Sequence, residues 1–323
     1  MDADDRALFE RSIRHAAETA TTPAAFDAAL DELGWADALD VDRRAAVSVL
    51  FEQQGVVGAA SSALGHVVAA ALGLDASANS GIVLPALGQT VPPGVVVGDR
   101  CDIAGLALGT LPLPGQADTT VVALRGDEHV VLRVDTADLG LRPVAGLDPG
   151  LGLVEVTGAG VGPAASSGLT PAAWDDAVAA GQLAVAHELV GAARAMLDLA
   201  CDHARGRVQF GRPIAAFQAV RHRMAEGLLA IEAAAATLDA AWDDGSPQSA
   251  ALAKAVAGRS ARTTARHAQQ VLAGIGYTTE HPLHLSMRRT LVLDQLLGSS
   301  RALTRQLGDD IVRTRALPAL LPL

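Results

Sequence analysis

The sequence contains little cysteine, aromatic residue or lysine. Its 323 residues include two cysteines, Cys101 and Cys201, and nine aromatic residues. Two isolated cysteines cannot build the framework of a disulfide-rich domain, and they lack the paired spacing of a zinc site. Of the 25 basic residues, 24 are arginine and one, Lys254, is lysine. We therefore expect the cysteines to be small buried side chains, and we expect no metal site.

Long apolar runs and net positive charge are also missing. Half of the residues are hydrophobic, yet no stretch of about 18 apolar residues is free of charged or polar residues, so no membrane span is expected. A formal net charge of −11 disfavours binding to nucleic-acid phosphates. The acidic start MDADDRALFE does not resemble a signal or transit peptide. These features predict a cytoplasmic protein that binds neither nucleic acid nor membrane.

Three stretches of different pattern follow one another along the chain. Residues 1–80 place apolar side chains at helical spacing. Residues 81–165 contain short β-branched runs separated by Pro and Gly turns, including a hairpin that turns at residues 125–128. Residues 166–323 return to long periodic helices, which indicate a bundle. The predicted fold is mostly α, with an N-terminal helical domain, a small β-barrel-like middle domain and a C-terminal four-helix bundle.

The bundle helices are predicted from apolar residues that alternate steps of three and four. The segment 162–168, rich in Gly, Pro, Ala and Ser, is the clearest candidate linker before the bundle. The first bundle helix should stop at Gln209-Phe210-Gly211. The remaining three helices are predicted at about 215–242, 248–272 and 285–312.

Arg207 stands where the first bundle helix is predicted to end. Its planar guanidinium suits a diphosphate, because it can form two parallel charge-assisted hydrogen bonds. An arginine at a helix end also interacts favourably with the last carbonyl groups and the helix dipole. The residue alone supports both interpretations.

Three longer segments together resemble the acyl-CoA dehydrogenase family. They are RVQFGRPI at 207–214 with Phe217-Gln218, QVLAGIGY at 270–277, and RRTLVLDQLLGSSR at 288–301. Their order and spacing match the bundle of that family. A weaker match, LDELGWADAL at 30–39, extends the resemblance towards the N-terminus. The chain is therefore identified as a member of the family, with the most specific similarity in residues 183–301.

The resemblance implies FAD as a cofactor that is shared across a subunit interface. In the family, the arginine of the first segment binds the FAD pyrophosphate of a neighbouring subunit, and that position is Arg207 here. One of the family's paired glycines is replaced by Ala273. The full set of positions that the resemblance assigns to the cofactor is Arg207, Gln209, Phe210, Ile214, Phe217, Gln218, Gln270, Val271, Gly274 and Ser299.

The catalytic half of the family pattern is missing. The family's glutamate base stands directly before a Gly-Thr-Ser-like triplet, which places it at Leu297 here. Some members carry the glutamate on the first bundle helix instead, and that position is Gly181. Because neither residue is a carboxylate, no catalytic residue is assigned. The family segments that line the flavin ring in the β domain are also absent. Loss of a general base costs about 10²–10⁴ in rate, so independent dehydrogenation is not expected.

The resemblance implies a subunit of an oxidoreductase in fatty acid or steroid catabolism. Some actinobacterial members form α2β2 heterotetramers in which a short, degenerate chain completes the FAD site of a homologous catalytic subunit. The implied substrate is an acyl-CoA, such as a steroid- or ring-derived thioester, and the implied electron acceptor is an electron-transfer flavoprotein. Two alternatives stay open: an active homo-oligomer with a non-standard base such as Glu188, or a catalytically dead structural or regulatory homologue.

Two further groups of residues are expected to be structural. Arg259, Arg262 and Arg266 should form a solvated or subunit-facing stripe rather than a phosphate site. His281 and His284 lack a third ligand at metal spacing, so we expect them to be ordinary polar residues.

Overall fold

Five helices form the N-terminal part of the chain. The computed structural model describes residues 3–74, 81–109 and 118–315. Side-chain oxygens of Thr22 and Asp42 accept hydrogen bonds from backbone N–H groups and so cap α2 and α4. The expected domain boundary at residue 80 lies outside the described residues. The helices are α1 (Ala3–Thr19), α2 (Pro23–Glu32), α3 (Trp35–Val41), α4 (Arg43–Val57) and α5 (Ala63–Ala71).

A mixed β-sheet forms the middle part. Its strands are ordered β6-β7-β3-β2-β4-β5-β8, and β1 pairs with β3. The predicted hairpin at 125–128 is confirmed, because Arg125 pairs with Glu128 in the β4–β5 ladder. The strands are β1 (Leu84–Pro85), β2 (Gly94–Val97), β3 (Arg100–Leu108), β4 (Asp118–Arg125), β5 (Glu128–Asp135), β6 (Gly140–Pro143), β7 (Leu153–Val161) and β8 (Ala165–Leu169).

The prediction of a linker at 162–168 is wrong over most of its length. Strand β8 pairs antiparallel with β5, from His129 opposite Leu169 to Arg133 opposite Ala165. Its side chains are almost all exposed, so the strand is held by its backbone hydrogen bonds rather than by an apolar face. A strand of this kind has no apolar alternation for the sequence to reveal.

The sheet packs on the bundle through one face of its central strands. Val121 and Ala123 of β4 face the core of the sheet, whereas Val122, between them, faces the bundle. Val122 packs with Trp174 at the beginning of the first bundle helix. The Trp174 indole also donates a hydrogen bond of 3.0 Å to the carbonyl oxygen of Thr90. This alternation is the two-residue period of a strand covered on both faces.

The C-terminal part contains three long helices and two shorter ones. The prediction of one helix over 285–312 is wrong, because the chain breaks at residues 296–299. Leu297 and Gly298 there have φ of 54° and 94°, and Ser299 caps the next helix by accepting from Ala302 N at 3.2 Å. The elements are α6 (Pro171–Gly206), β9 (Val208–Gln209), β10 (Arg212–Pro213), α7 (Gln218–Asp244), α8 (Pro247–Leu272), α9 (Leu283–Gln295) and α10 (Ser300–Thr314).

The helices α6, α7, α8 and α9 run alternately up and down. The end of α6, the start of α7, the end of α8 and the start of α9 therefore lie at the same end of the bundle. The rings of His203 and His281 meet edge-on there, with centroids 6.5 Å apart. The break at 296–299 lies at the opposite end, near the beginnings of α6 and α8. No helix in the described ranges has the length and apolar character needed to cross a bilayer.

Candidate functional site

A tight hairpin projects from the end of α6. Strands β9 and β10 pair with each other, and the two residues between them, Phe210 and Gly211, have φ of 52° and 76°. Positive φ at both central residues is the geometry of a type I′ turn. The hairpin is fixed to the helix end because Arg207 N donates to His203 O and Ile214 N donates to Arg207 O, each at 2.8 Å.

The aromatic ring of Phe210 lies on the surface. The residue is 91 % exposed, more than any other large apolar residue of the described chain. Its ring meets that of Phe217 edge-on, with centroids 6.0 Å apart, and the guanidinium of Arg212 lies 4.4 Å from the centre of the Phe217 ring. The Phe217 ring thus lies at the base of the hairpin, while most of the Phe210 ring is exposed to solvent.

The Arg207 side chain is exposed at the base of this hairpin. Within the described chain the guanidinium makes no hydrogen bond or ion pair, although the backbone of the residue ends α6. In particular, it donates to none of the last carbonyl groups of the helix. All its donors therefore remain available to an anion.

The other expected cofactor positions of this segment have mixed environments. Gln209 is exposed, and its amide donates to Val208 O at 2.8 Å. Gln218, the first residue of α7, lies 3.4 Å from the ring of His222. Ile214 and Phe217 are half-buried, and Ile214 packs against the bundle core. The structure therefore places all the expected positions from Arg207 to Gln218 in one continuous surface segment.

The second expected segment lies at the same end of the bundle, at the end of α8. Gln270 is exposed, whereas the Val271 side chain is buried in the core. A Cβ added at Gly274 would meet no atom within 4 Å, whereas one at Gly276 would lie 2.9 Å from Leu272 Cβ. Gly274 thus presents an open backbone surface. Ala273, at the position of the family's first glycine, has φ of 53° and ψ of −132°.

The two expected base positions lie against each other at the opposite end of the bundle. A Cβ added at Gly181 would overlap Leu297 Cδ1 and would lie 3.1 Å from Val68 Cγ2. Leu297 is 2 % exposed, and its carbonyl oxygen accepts a hydrogen bond of 2.9 Å from the amide of Gln182. Side chains of Leu64 and Val68 complete an apolar environment. Among the described residues, the atoms that a Cβ at Gly181 would meet are all apolar carbons of Leu297, Val68 and Leu64.

A buried lysine holds the broken segment in position. The Lys254 ammonium donates to Asp294 O at 3.1 Å and to Gly298 O at 2.9 Å. The residue is fully buried, and burial lowers its pKa to about 8. Arg262 donates to Asp294 and to Ser300, each at 2.6 Å. Arg259, Arg262 and Arg266 are all exposed, as expected of a solvated stripe, and Arg262 in addition has partners on α9 and α10.

Glu188, the alternative base, belongs to a buried ionic cluster. Its carboxylate lies 3.3 Å from Arg289 Nη1 and 3.5 Å from the amide of Gln54. Burial is the main cause that raises its pKa to about 7, and Arg289 opposes that effect. Arg289 also pairs with Asp148 and donates to Ala59 O at 2.6 Å. Glu188 lies seven residues beyond Gly181, about 10 Å along the helix.

The expected site residues therefore fall into two groups at opposite ends of α6. Arg207 follows Gly181 by 26 residues, which corresponds to about 39 Å of helix. Gln270 and Gly274 accompany Arg207, whereas Ser299 lies beside Leu297 and is engaged in capping α10. The structure does not bring Ser299 together with the hairpin.

Two residues that position the broken segment were missed at the sequence level. Gln182 lies within an alanine-rich helix, and Lys254 is flanked by alanines. Both donate to backbone carbonyls of the segment 294–298. The single lysine in an apolar helical surrounding was a signal of burial.

Comparison with known proteins identifies the family. The family model described as acyl-CoA dehydrogenase, C-terminal domain, matches residues 173–312. Acyl-CoA dehydrogenase IpdE2 of Mycobacterium tuberculosis is 32 % identical over 257 residues, which cover 72 % of this chain and 78 % of that protein. The chain belongs to the acyl-CoA dehydrogenase family. Members of this family generally bind FAD.

Solved acyl-CoA dehydrogenase structures share the whole fold. A variant of the steroid acyl-CoA dehydrogenase Tcur3481–Tcur3483 superimposes with a TM-score of 0.78 at 22 % identity, covering 97 % of this chain and 99 % of that one. The ChsE4–ChsE5 complex from Mycobacterium tuberculosis gives a TM-score of 0.74 at 20 % identity, covering 99 % of both chains. The N-terminal helices, the sheet and the bundle therefore together form the acyl-CoA dehydrogenase fold.

Proposed function

We propose that this chain is a subunit of an FAD-dependent acyl-CoA dehydrogenase and that it completes the FAD site of a homologous catalytic chain. The reaction is the α,β-dehydrogenation of a CoA thioester with a steroid- or ring-derived acyl group. The observation that carries the proposal is the separation of two features along α6. An exposed hairpin with an unpaired Arg207 at its base lies at one end, and an apolar contact occupies the expected base positions at the other.

The distance along α6 supports sharing between chains. Gly181 and Arg207 are separated by about 39 Å of helix. The ribityl chain that joins a flavin ring to its diphosphate spans only about 10 Å at full extension, given single bonds of about 1.5 Å. A flavin whose diphosphate lies at Arg207 therefore has its ring far from Leu297 of the same chain. In this proposal, the residues around the reacting ring, including the base, therefore belong to another polypeptide.

The hairpin end of the bundle fits the diphosphate and adenosine part of FAD. Arg207 offers an unpaired guanidinium, Phe210 an exposed ring and Gly274 an open backbone surface. Arg207 would neutralise the diphosphate charge, while Phe210 and Gln270 would cover the adjoining groups. Bound FAD would supply the two-electron oxidant for the thioester. This chain holds the cofactor, and the partner chain takes the α-proton.

The relatives support the substrate class and the assembly. One structural neighbour is a steroid acyl-CoA dehydrogenase, and another is a complex of two chains. The electron-transfer flavoprotein and the division into domains at 1–80, 81–165 and 166–323 are part of the same proposal. They follow from the family resemblance and from the change of pattern along the chain.

The test is co-expression with a homologous, glutamate-containing catalytic chain, followed by purification of the complex. Flavin content is measured from the ratio of absorbance at the flavin band to protein, and activity from reduction of a flavin acceptor by acyl-CoA. Arg207→Ala should remove most FAD from the complex while leaving its circular dichroism unchanged. Arg205→Ala is the matched control, because Arg205 is exposed and its one ion pair among the described residues is with Asp202, at 3.0 Å in the last turn of α6.

Three outcomes would overturn the proposal. Equal flavin content in the two variants would refute the role of Arg207. A flavin-loaded, active protein purified without any partner would favour the homo-oligomer with a non-standard base. Absence of both a complex and flavin would favour the structural homologue.

A further inference from the structure

Three histidines lie at the end of the bundle that carries Arg207. His203 belongs to the last turn of α6, His281 lies in the connection before α9, and His284 lies in the first turn of α9. The rings of His203 and His281 meet edge-on, with centroids 6.5 Å apart. Arg207 follows His203 by one helical turn, and its backbone N–H donates to His203 O at 2.8 Å. The histidines therefore stand beside the arginine to which the proposed function assigns the diphosphate.

The hydrogen bonds of this cluster leave ring nitrogens open. His281 Nδ1 accepts from Leu283 N at 3.2 Å, so the proton of its neutral ring is on Nε2. His284 Nδ1 lies 2.8 Å from His281 O and donates to it. In the part of the chain that the structure describes, neither His281 Nε2 nor the His203 ring has a hydrogen-bond partner. Both rings are half-buried and can offer an N–H to an anion.

The neighbours that shift the pKa of these two rings are all basic. Burial is the main cause that lowers the pKa of His203 from the usual 6.5, and the Arg207 charge lowers it further. The pKa of His281 is lowered by burial and by His203 and His284. No carboxylate of the described chain opposes these effects. Both rings are therefore mostly neutral at pH 7 when no anion is bound.

The other charged groups around the cluster leave this balance unchanged. Asp202 pairs with Arg205 at 3.0 Å, and the Arg212 guanidinium lies 4.4 Å from the centre of the Phe217 ring. None of the next charged residues on the surrounding elements contributes to the pKa of His203 or His281. These residues, all exposed, are Asp198 of α6, Arg221 of α7, Glu280 of the connection before α9 and Arg288 of α9.

We propose that His203 and His281 complete the anion site at Arg207, and that binding of the FAD diphosphate there is coupled to the uptake of a proton by this histidine pair. The inference rests on the proposed function, which places the diphosphate at Arg207. A diphosphate diester carries two negative charges, whereas Arg207 supplies one positive charge. Protonation of one imidazole supplies the second charge and a further charge-assisted hydrogen bond. The proton comes from solvent and returns to it when the anion leaves.

The direction of the pH dependence follows from this coupling. The bound anion stabilises the protonated imidazole, so the histidine pKa is higher in the bound state than in the free state. Affinity for the diphosphate therefore rises as the pH falls from 8 to 6. The diphosphate diester is fully ionised throughout this range, so the change in affinity comes from the protein.

The test titrates ADP-ribose, which contains the adenosine and diphosphate groups of FAD, into the full-length chain at constant ionic strength. Isothermal titration calorimetry should give an affinity at least about fivefold higher at pH 6 than at pH 8. The variant H203Q/H281Q keeps N–H donors but cannot be protonated at these positions. It should bind like wild type at pH 8 and should not gain affinity at pH 6. His15→Gln, at an exposed residue of α1, is the matched control and should behave like wild type.

Two further measurements report the proton. Titration at pH 7 in two buffers that differ in ionisation enthalpy should show net proton uptake by wild type and H15Q, and none by H203Q/H281Q. In protein labelled with ¹⁵N-histidine, the pKa of His203 or His281 should rise on addition of ADP-ribose. Release of FAD from the assembled complex, followed by flavin fluorescence, should be faster at pH 8 than at pH 6.

The outcomes separate this inference from the proposed function. Equal affinity of wild type at pH 6 and pH 8, or the same pH dependence in H203Q/H281Q and H15Q, would overturn the proton coupling and leave the role of Arg207 intact. Lack of ADP-ribose binding at both pH values would also overturn it. Binding coupled to proton uptake, together with equal flavin content in the Arg207→Ala and Arg205→Ala complexes, would support the histidine site and refute the proposed function.

Discussion

The Leu297 side chain occupies the space that any side chain at position 181 would need, so Leu297 excludes a base from that position. Even alanine at 181 would overlap Leu297 Cδ1. A glutamate at 181 would have to displace Leu297, and a glutamate at 297 would lie among Leu64 and Val68. A base at position 181 would therefore require a change at Leu297 as well.

This contact predicts a coupling between the two positions. Gly181→Ala should destabilise the chain by about 1–3 kcal/mol through overpacking, and Leu297→Ala by about 2–5 kcal/mol through a cavity. In the double variant the new Cβ occupies part of that cavity, so the cost should be lower than the sum by about 1 kcal/mol. Urea unfolding of the wild type, the two single variants and the double variant gives the free energies of this double-mutant cycle. Gly206→Ala is the control for helix propensity, because a Cβ there meets nothing within 4 Å. If the destabilisation of the double variant equals the sum of the two single variants, the contact is contradicted.

Ala273 has a backbone conformation that favours glycine. Its φ of 53° and ψ of −132° place Cβ in a crowded position. Ala273→Gly should therefore raise the free energy of unfolding by about 1 kcal/mol. The same change at the exposed Ala225, within α7, should lower it by about 1 kcal/mol. Chemical denaturation of both variants checks the opposite signs, and destabilisation by A273G would show that the backbone is not strained.

The buried Glu188 predicts a pH dependence of stability. Because its folded pKa is raised to about 7 from 4.5, the folded chain binds the proton more tightly than the unfolded chain does. Stability is fully present below about pH 4.5 and is lost as the pH rises through 7, by up to about 3 kcal/mol. Glu188→Gln should flatten this slope between pH 5 and 8. Glu18→Gln, at an exposed residue of α1, should keep it. Denaturant titrations between pH 5 and 8 measure how the free energy of unfolding depends on pH. An identical pH dependence in wild type and E188Q would rule out the contribution of Glu188.

The exposed ring of Phe210 should matter for assembly and not for folding. Phe210→Ala should change the unfolding free energy of the isolated chain by less than about 0.5 kcal/mol. In the complex it should weaken flavin retention by about tenfold or more, as expected for a buried aromatic contact of about 2 kcal/mol. Val41, 85 % exposed on α3, gives the control Val41→Ala, which should alter neither property. Flavin release in a dilution series measures the effect, and equal release from F210A and V41A would exclude the contact.

The order of helices, sheet and bundle could be predicted because each part has a distinct period. Turn residues such as Gly126 and Asp127 also marked the β4–β5 hairpin correctly. The break between α9 and α10 was missed because apolar residues continue across it at Leu293, Leu296 and Leu297. Gly298 followed by Ser299 was the available signal, since glycine ends helices and serine begins them.

The rest of the site depends on contacts that span the chain. Gln182 and Leu297 are 115 residues apart, and Arg289 joins the loop after α4, helix α6 and the loop before β7. No local sequence pattern predicts that these side chains contact each other. The family motifs placed Arg207 and Leu297 in the sequence, but only the fold shows that they lie at opposite ends of one helix.

Lys254 has a consequence for the chemistry of the surface. As the single lysine, and fully buried, it leaves the folded chain without an exposed lysine amine. Acylating reagents, lysine acetyltransferases and lysine-directed crosslinkers therefore find no lysine on the native surface. Acylation of Lys254 requires the bundle to open, so the rate of that single modification reports how often the bundle opens.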